Sequence, residues 1–413
     1  MLAGRVDPLA RELLDAREHT LLLVRDLDDA QWMGPRLPIV NPILWEVGHV
    51  AWFQEYWTLR HPHGRPSQIA SADALWDSAR VAHDTRWDLP LPDRAATLRY
   101  LQATLDRSLA ALDTGALYFH RLALFHEDMH GEAFTYTRQT LGYPAPSLGA
   151  ARPAARGTLD GDAEVPGARF LLGATQDEPF VFDNEKWAHP VEVAPFRIAR
   201  APVTNAQYAE FVDAGGYRER RYWTAQGWRW RQAVGAERPL YWEPGFRERR
   251  YGAVRELAPN APVIHVSWHE AQAFCAWARR RLPTEAEWEL AAATPEKRRF
   301  PWGSDPPGEH RANLDGRAGD PVDVAAHPEG DSAYGCRQMI GNVWEWTASD
   351  FAPYPGFVAD PYKEYSQPWF KSPHKVLRGG CWATRGRLLR NTFRNFYPPD
   401  RRDVLAGFRT CAR

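Results

Sequence analysis

The sequence changes character once, between residues 142 and 167, and that change limits what can be built on either side. Before it, apolar residues recur with helical period in four segments, 9–27, 42–59, 93–112 and 117–141. Four such segments joined by short connections predict an up-and-down helical bundle over residues 1–141. The second segment has Asn41 at the N-cap position and Pro42 at the first helical position. Residues 142–167 are rich in Pro, Ala and Gly and poor in large apolar side chains, the composition of a linker. From residue 168 to 413 the periodicity fades. Strand-like pieces at 168–172, 189–198 and 375–378 and helical patterns at 205–214 and 268–281 stand among glycines, prolines and tryptophans. That half is predicted as a mixed α+β domain with much irregular structure, so the fold class is multidomain α and α+β. One near-duplicate, Tyr217-Arg-Glu-Arg-Arg-Tyr222 and Phe246-Arg-Glu-Arg-Arg-Tyr251, is too little for a repeat architecture.

Bulk properties exclude several classes of function. Lys plus Arg (51) balance Asp plus Glu (52), for a net charge of −1, so global charge gives no support to a nucleic-acid partner. Aromatic residues make up 13% of the chain and include 19 Trp, a composition able to build cages for cationic ligands. No two of Cys275, Cys336, Cys381 and Cys411 stand at C-x-x-C spacing, which argues against a zinc ribbon or a redox pair. Arg5, Asp7, Arg11 and Glu12 interrupt the N-terminus where a signal peptide would be apolar, and no apolar run reaches membrane-spanning length. A soluble cytoplasmic protein with no membrane partner is expected.

The fourth helical segment contains His126-Glu-Asp-Met-His130. Residues four apart share a helix face, so both imidazoles can reach one ion. The spacing is that of H-E-x-x-H zinc proteins, where Glu127 would be the base and a third ligand would follow downstream. The better third candidate lies upstream, His49 in Trp45-Glu-Val-Gly-His-Val-Ala-Trp52 on the second helix. Three neutral imidazoles leave open positions on an octahedral ion, an arrangement suited to Fe(II) that must meet both oxygen and a substrate. His61 and His63 flank Pro62 in an expected loop and read as solvated.

His49 together with His126-x-x-x-His130-x-Glu132 resembles the DinB-like iron domain of the ergothioneine-type sulfoxide synthases. The C-terminal half independently resembles the formylglycine-generating-enzyme-like (sulfatase-modifying) fold, itself related to C-type lectins. The matching stretches are Pro202-Val-Thr-Asn-Ala-Gln-Tyr208, Leu282-Pro-Thr-Glu-Ala-Glu-Trp288, Gly341-Asn-Val-Trp-Glu-Trp346, Arg378-Gly-Gly-Cys-Trp382 and Gly407-Phe-Arg409. Formylglycine-generating enzymes hold copper with a closely spaced cysteine pair, which Cys381 and Cys411 do not form. The resemblance to the sulfoxide synthases implies Fe(II)- and O2-dependent coupling of a chalcogen donor to hercynine, Nα-trimethylated histidine, bound across the domain interface. It assigns Tyr362, the first tyrosine of Pro361-Tyr-Lys-Glu-Tyr365, as proton donor or redox partner, with Tyr365 as its companion. It also implies that Asn395 contacts the imidazole and that Phe396 faces the trimethylammonium.

The chain departs from the mycobacterial-type members that use γ-glutamylcysteine. Met129 stands where they have Gln, and Tyr397 where they have an acidic residue. Their arginine-bearing donor loop is replaced by residues 75–87, with Arg80, Arg86 and Trp87. Without a carboxylate for the ammonium of an amino acid, the pattern looks more like the selenoneine synthase branch. That branch couples hercynine with a 1-seleno sugar to a selenoxide. Arg80, Arg86, Trp87 and Tyr397 are the expected sugar contacts. The alternatives are a sulfoxide synthase using cysteine or γ-glutamylcysteine and a non-catalytic lectin-like binding protein.

Overall fold

The computed structural model describes residues 7–112, 115–148 and 156–413. The chain divides into two compact units, Met1–Leu148 and Gly149–Arg413.

In the first unit, four long helices form where the apolar spacing places them: Pro8–Val24, Ile43–Glu55, Arg94–Leu109 and Leu117–Leu141. Their ends are chemically marked. The carboxylates of Asp7 and Asp93 accept the backbone N–H groups of Leu9 and Ala96, and Gly142 closes the last helix in the left-handed conformation at φ +67°. The Arg138 guanidinium bonds the Leu23 and Pro144 carbonyls and Asp26, fastening the end of the last helix to the end of the first. Ile43–Glu55 is buried at almost every position and packs against both Arg94–Leu109 and Leu117–Leu141. A helix buried on all sides belongs at the centre of its bundle.

Two local expectations need correction. Asn41 does not cap the second helix. Pro42 occupies the N-cap position and has no side-chain bond to offer, while the Asn41 amide is spent on Glu46 and Arg86. The same helix continues through a π-helical turn, Tyr56–Arg60, into His61–His63, so these histidines end a helix instead of lying in a loop. The His61 ring packs against Trp57 and Phe119.

The second unit contains two four-stranded sheets. One is antiparallel, in the order Asp162–Val165, Phe196–Ala199, Cys411–Ala412, Arg280–Arg281. The other runs Asn395–Tyr397, Lys375–Arg378, Trp344–Asp350, Ala406–Gly407, with the last pair parallel. The strand expected over 189–198 is two strands in different sheets. His189–Val193 pairs with Ala168–Leu172, and after Pro195 the chain enters the first sheet as Phe196–Ala199. The end of the expected linker is folded too, since Asp162–Val165 is a strand, while residues 149–155 lie outside the described residues.

The helices Asn205–Asp213, Trp268–Trp277 and Glu285–Ala293 each begin with a reciprocal capping box, Thr204 with Gln207, Ser267 with Glu270, and Thr284 with Glu287. The sequence motifs are the bolts of this irregular unit. Glu345 of the Gly-Asn-Val-Trp-Glu-Trp stretch accepts two bonds of 2.7 Å from Arg409 and one of 2.8 Å from the Trp288 indole. Arg378 of Arg-Gly-Gly is fully buried against Glu289 and the carbonyls of Asn391 and Thr392. Charges removed from water this completely persist only when paired and hydrogen-bonded. Gly379 follows at φ +96°, where a Cβ would stand 2.5 Å from the Met339 carbonyl oxygen. All four cysteines are buried and none is joined in a disulfide.

Candidate metal centre

His49 stands in the middle of Ile43–Glu55, and His126 and His130 lie one turn apart on Leu117–Leu141. The facing surfaces of these two helices bring the three rings together. The Nε2 atoms of His49 and His130 each lie 3.2 Å from His126 Nε2, and one nitrogen from each ring falls within 4.8 Å of the others. The outer nitrogens explain the orientation. His49 Nδ1 is 2.7 Å from the Trp76 carbonyl oxygen, which only accepts, so this nitrogen carries the proton. His130 Nδ1 is 2.7 Å from Glu46 Oε1 and donates to it. Both rings therefore turn Nε2 toward His126. His126 is buried face-to-face against Phe53, at 3.5 Å between ring centres, and its Nδ1 has no hydrogen-bond partner among the described residues.

Burial pushes the His49 and His126 imidazoles well below their ordinary pKa, and proximity to His130 adds to the effect. Three imidazole nitrogens converging at this spacing form a donor set that fits a metal ion. Close packing supports the arrangement. Gly48 passes so near Trp76 that a Cβ there would stand 2.2 Å from the indole nitrogen, and Trp45 stacks on His49 at 5.0 Å and 8°. Glu127 is not a base for this centre. It is buried in a network with Arg17, at 2.9 Å, and Thr20, at 3.0 Å, and Arg17 also bonds Gln54 and the Leu101 carbonyl.

The other residues singled out in the first unit fall into distinct surroundings. Met129 is half-buried between the two helix histidines in sequence. Arg80 is exposed and paired with Asp77 at 3.0 Å. Arg86 is engaged inside the fold: its guanidinium bonds Asn41 Oδ1 at 2.6 Å and stacks 3.8 Å above the Trp45 ring. Burial lowers its pKa to about 10. Trp87 donates to the Gly34 carbonyl and lies beneath Arg36. Sequence reasoning missed Glu46, Phe53 and the Trp76 carbonyl. Only Glu46 had left a signal, since it precedes His49 by three positions and shares its helix face.

In the second unit, Tyr362, Tyr365 and Phe396 belong to one aromatic cluster, and Asn395 and Tyr397 flank Phe396 on the same strand. Tyr362 and Tyr365 are 6.2 Å apart at their ring centres, Tyr365 stacks on Phe182 at 4.4 Å, and Tyr365 meets Phe396 edge-on at 6.1 Å. Phe351 covers one face of Phe396, at 3.9 Å and 13°. Asn395 Oδ1 accepts the Phe396 backbone N–H, and Arg401 lies over Tyr397 at 5.3 Å. Burial raises the Tyr365 hydroxyl well above its usual pKa, helped by the charges of Glu185 and Asp183. Ser366, next in sequence, donates to Asp183, whose carboxyl burial pushes up to about 6.

The DinB superfamily matches residues 12–138, and the sulfatase-modifying factor enzyme 1-like domain matches residues 148–413. The chain is 40% identical to a hercynine oxygenase of Mycolicibacterium smegmatis and 41% identical to one of Mycobacterium tuberculosis, over 98% of this chain and 98% of each relative. A formylglycine-generating enzyme of Thermomonospora curvata is 37% identical over 61% of this chain and 93% of its own length. With both domains matched and full-length identity at this level, the chain belongs to the hercynine oxygenase family, the oxidoreductases of ergothioneine-type sulfoxide synthesis.

Proposed function

We propose that this chain couples hercynine with a 1-seleno sugar, in an Fe(II)- and O2-dependent reaction that gives a hercynyl selenoxide. The observation that carries the reading is the convergence of three imidazoles, those of His49 and His126 buried and that of His130 half-buried, in a chain 40% identical, end to end, to a hercynine oxygenase. His49, His126 and His130 hold the iron, and Phe53, Trp45 and Trp52 enclose their rings. When bound, the iron supplies the oxygen-dependent redox chemistry that joins carbon to the chalcogen. The Tyr362 hydroxyl gives up a proton during coupling. The Asn395 amide meets the hercynine imidazole. Phe396, with Phe351 on one face, turns the other to the trimethylammonium, a contact worth about 0.5–2 kcal/mol.

The donor assignment rests on Tyr397, which replaces the acidic group that would hold an amino acid's ammonium, and on Met129 beside His130. A sugar needs hydrogen bonds and a stacking surface in place of that charge, and Tyr397, Arg80 and Trp87 are the contacts assigned to it, while Arg86, expected among them, is already bonded to Asn41 and stacked on Trp45. A second reading, a thiol donor such as cysteine or γ-glutamylcysteine, is favoured by the identity of 40–41% to hercynine oxygenases. The test supplies hercynine and O2 with equal amounts of selenosugar, thiosugar and γ-glutamylcysteine and follows products by mass. The selenoxide should dominate. Efficient coupling of γ-glutamylcysteine with none of the selenosugar would establish the second reading instead. His126→Ala should lose both stoichiometric iron and all coupling.

A further inference from the structure

The three imidazoles are supported unequally. His49 Nδ1 bonds a neutral carbonyl, His126 Nδ1 has no hydrogen-bond partner among the described residues, and His130 Nδ1 bonds a carboxylate. Glu46 is 1% exposed, so that carboxylate is removed from water. Its other oxygen lies 3.3 Å from the Asn41 amide, and Asn41 in turn accepts from Arg86 at 2.6 Å. Arg86 lies 3.8 Å above Trp45, whose ring stacks on His49. The compensating positive charge is thus held one residue away from the carboxylate. A guanidinium bonded directly to Glu46 would draw off its charge, whereas an intervening amide leaves Oε1 electron-rich toward the imidazole.

We propose that Glu46 is a positioning residue for the metal centre: it fixes the His130 ring through Nδ1 and makes His130 the strongest donor of the three ligands. The Asn41–Arg86 pair holds the carboxylate in place. This inference rests on reading the three imidazoles as an iron site. An imidazole that shares its N–H with a carboxylate donates more charge through Nε2, and the ferric ion gains more from that than the ferrous ion. Glu46 therefore strengthens binding of both and lowers the potential of the couple.

The experiment compares the full-length chain with Glu46→Gln and Glu46→Ala. Anaerobic Fe(II) affinity is measured by chelator competition, the ferric/ferrous potential by redox titration, and folding by circular dichroism. Glu46→Ala should weaken Fe(II) binding by roughly 10–100-fold, the usual effect of losing such a partner. Glu46→Gln keeps an acceptor oxygen and the shape, so it should bind Fe(II) within about tenfold of wild type. If ferric binding weakens tenfold more than ferrous, its potential rises by about 59 mV, the one-electron equivalent of a factor of ten. Unchanged affinity and potential in both variants overturn the inference and leave the iron site standing. Equal affinity loss in both variants at unchanged potential reduces Glu46 to a structural hydrogen bond and also overturns it. A wild-type chain that binds no Fe(II) at all fails the underlying reading instead. Should Glu46→Ala not fold, the isosteric Gln variant decides through its potential.

Discussion

Gly48→Ala tests the packing that aims His49. An alanine Cβ would stand 2.2, 2.4 and 2.9 Å from three atoms of the Trp76 indole, all closer than van der Waals contact permits. Trp76 is fully buried and stacked on Tyr100 at 5.3 Å, so it has little room to retreat. Overpacking of this kind costs roughly 1–3 kcal/mol, and three contacts on one rigid ring place this case at the upper end. Alanine recovers about 1 kcal/mol through its better helix propensity, which leaves a net loss of about 2 kcal/mol. The same movement displaces the Trp76 carbonyl from His49 Nδ1, so Fe(II) affinity should fall by roughly tenfold or more. Urea unfolding followed by far-UV circular dichroism reports the first loss, and chelator competition the second. Adding Trp76→Phe removes the indole atoms that collide, so Gly48→Ala should cost less in that background than in wild type. Strict additivity of the two substitutions, or a Gly48→Ala protein as stable and as tightly metallated as wild type, would refute the reasoning.

Three further outcomes follow from the described contacts. Arg17→Met strands the buried Glu127 carboxylate and should destabilise the helical unit by about 3–5 kcal/mol, with much of this recovered in Arg17→Met/Glu127→Leu; equal stability of the single and double variants in urea would refute the pairing. The Asp183 carboxyl titrates near 6 in the fold against 3.8 otherwise, so its contribution is complete below about pH 4 and is lost as pH rises through about 6. Asp183→Asn should therefore flatten the fall in Tm across that window, by an amount equivalent to about 1–3 kcal/mol, and an unchanged slope would count against the burial argument. Tyr362→Phe removes only a hydroxyl, so substrate binding should hold while coupling slows by roughly 10²–10⁴-fold; product analysis showing wild-type coupling would take Tyr362 out of the mechanism.

The helical half was legible because its apolar spacing and its end signals agree. Asp93 and Gly142 mark ends that the structure keeps. Asn41 misled because its amide has a nonlocal use, holding Glu46 and Arg86, that no local rule weighs. The His49, His126 and His130 cluster was readable from spacing, yet the groups that orient the rings were not. A backbone carbonyl leaves no trace in a sequence, and the place of Glu46 three positions before His49 does not name His130 as its partner. In the second unit the recognisable motifs proved to be buried ion pairs, such as Glu345 with Arg409. The doublet shows the opposite case. Its first copy ends in a single turn, Arg220–Tyr222, with Arg221 exposed beside Glu219, while its second forms the strand Arg247–Arg250 with Arg250 buried against Asp320. Identical local chemistry takes different forms when distant partners differ.

Every group that shapes the three-imidazole cluster, from Asn41 through Glu46, Phe53 and Trp76 to His130, belongs to the helical unit. Selection can therefore rework the irregular unit, residue by residue, while the three-imidazole cradle is inherited intact. Within this family, histidines and their orienting groups should diverge on a slower clock than the aromatic cluster around Tyr365 and Phe396, and a change of organic substrate need not pass through a metal-free ancestor.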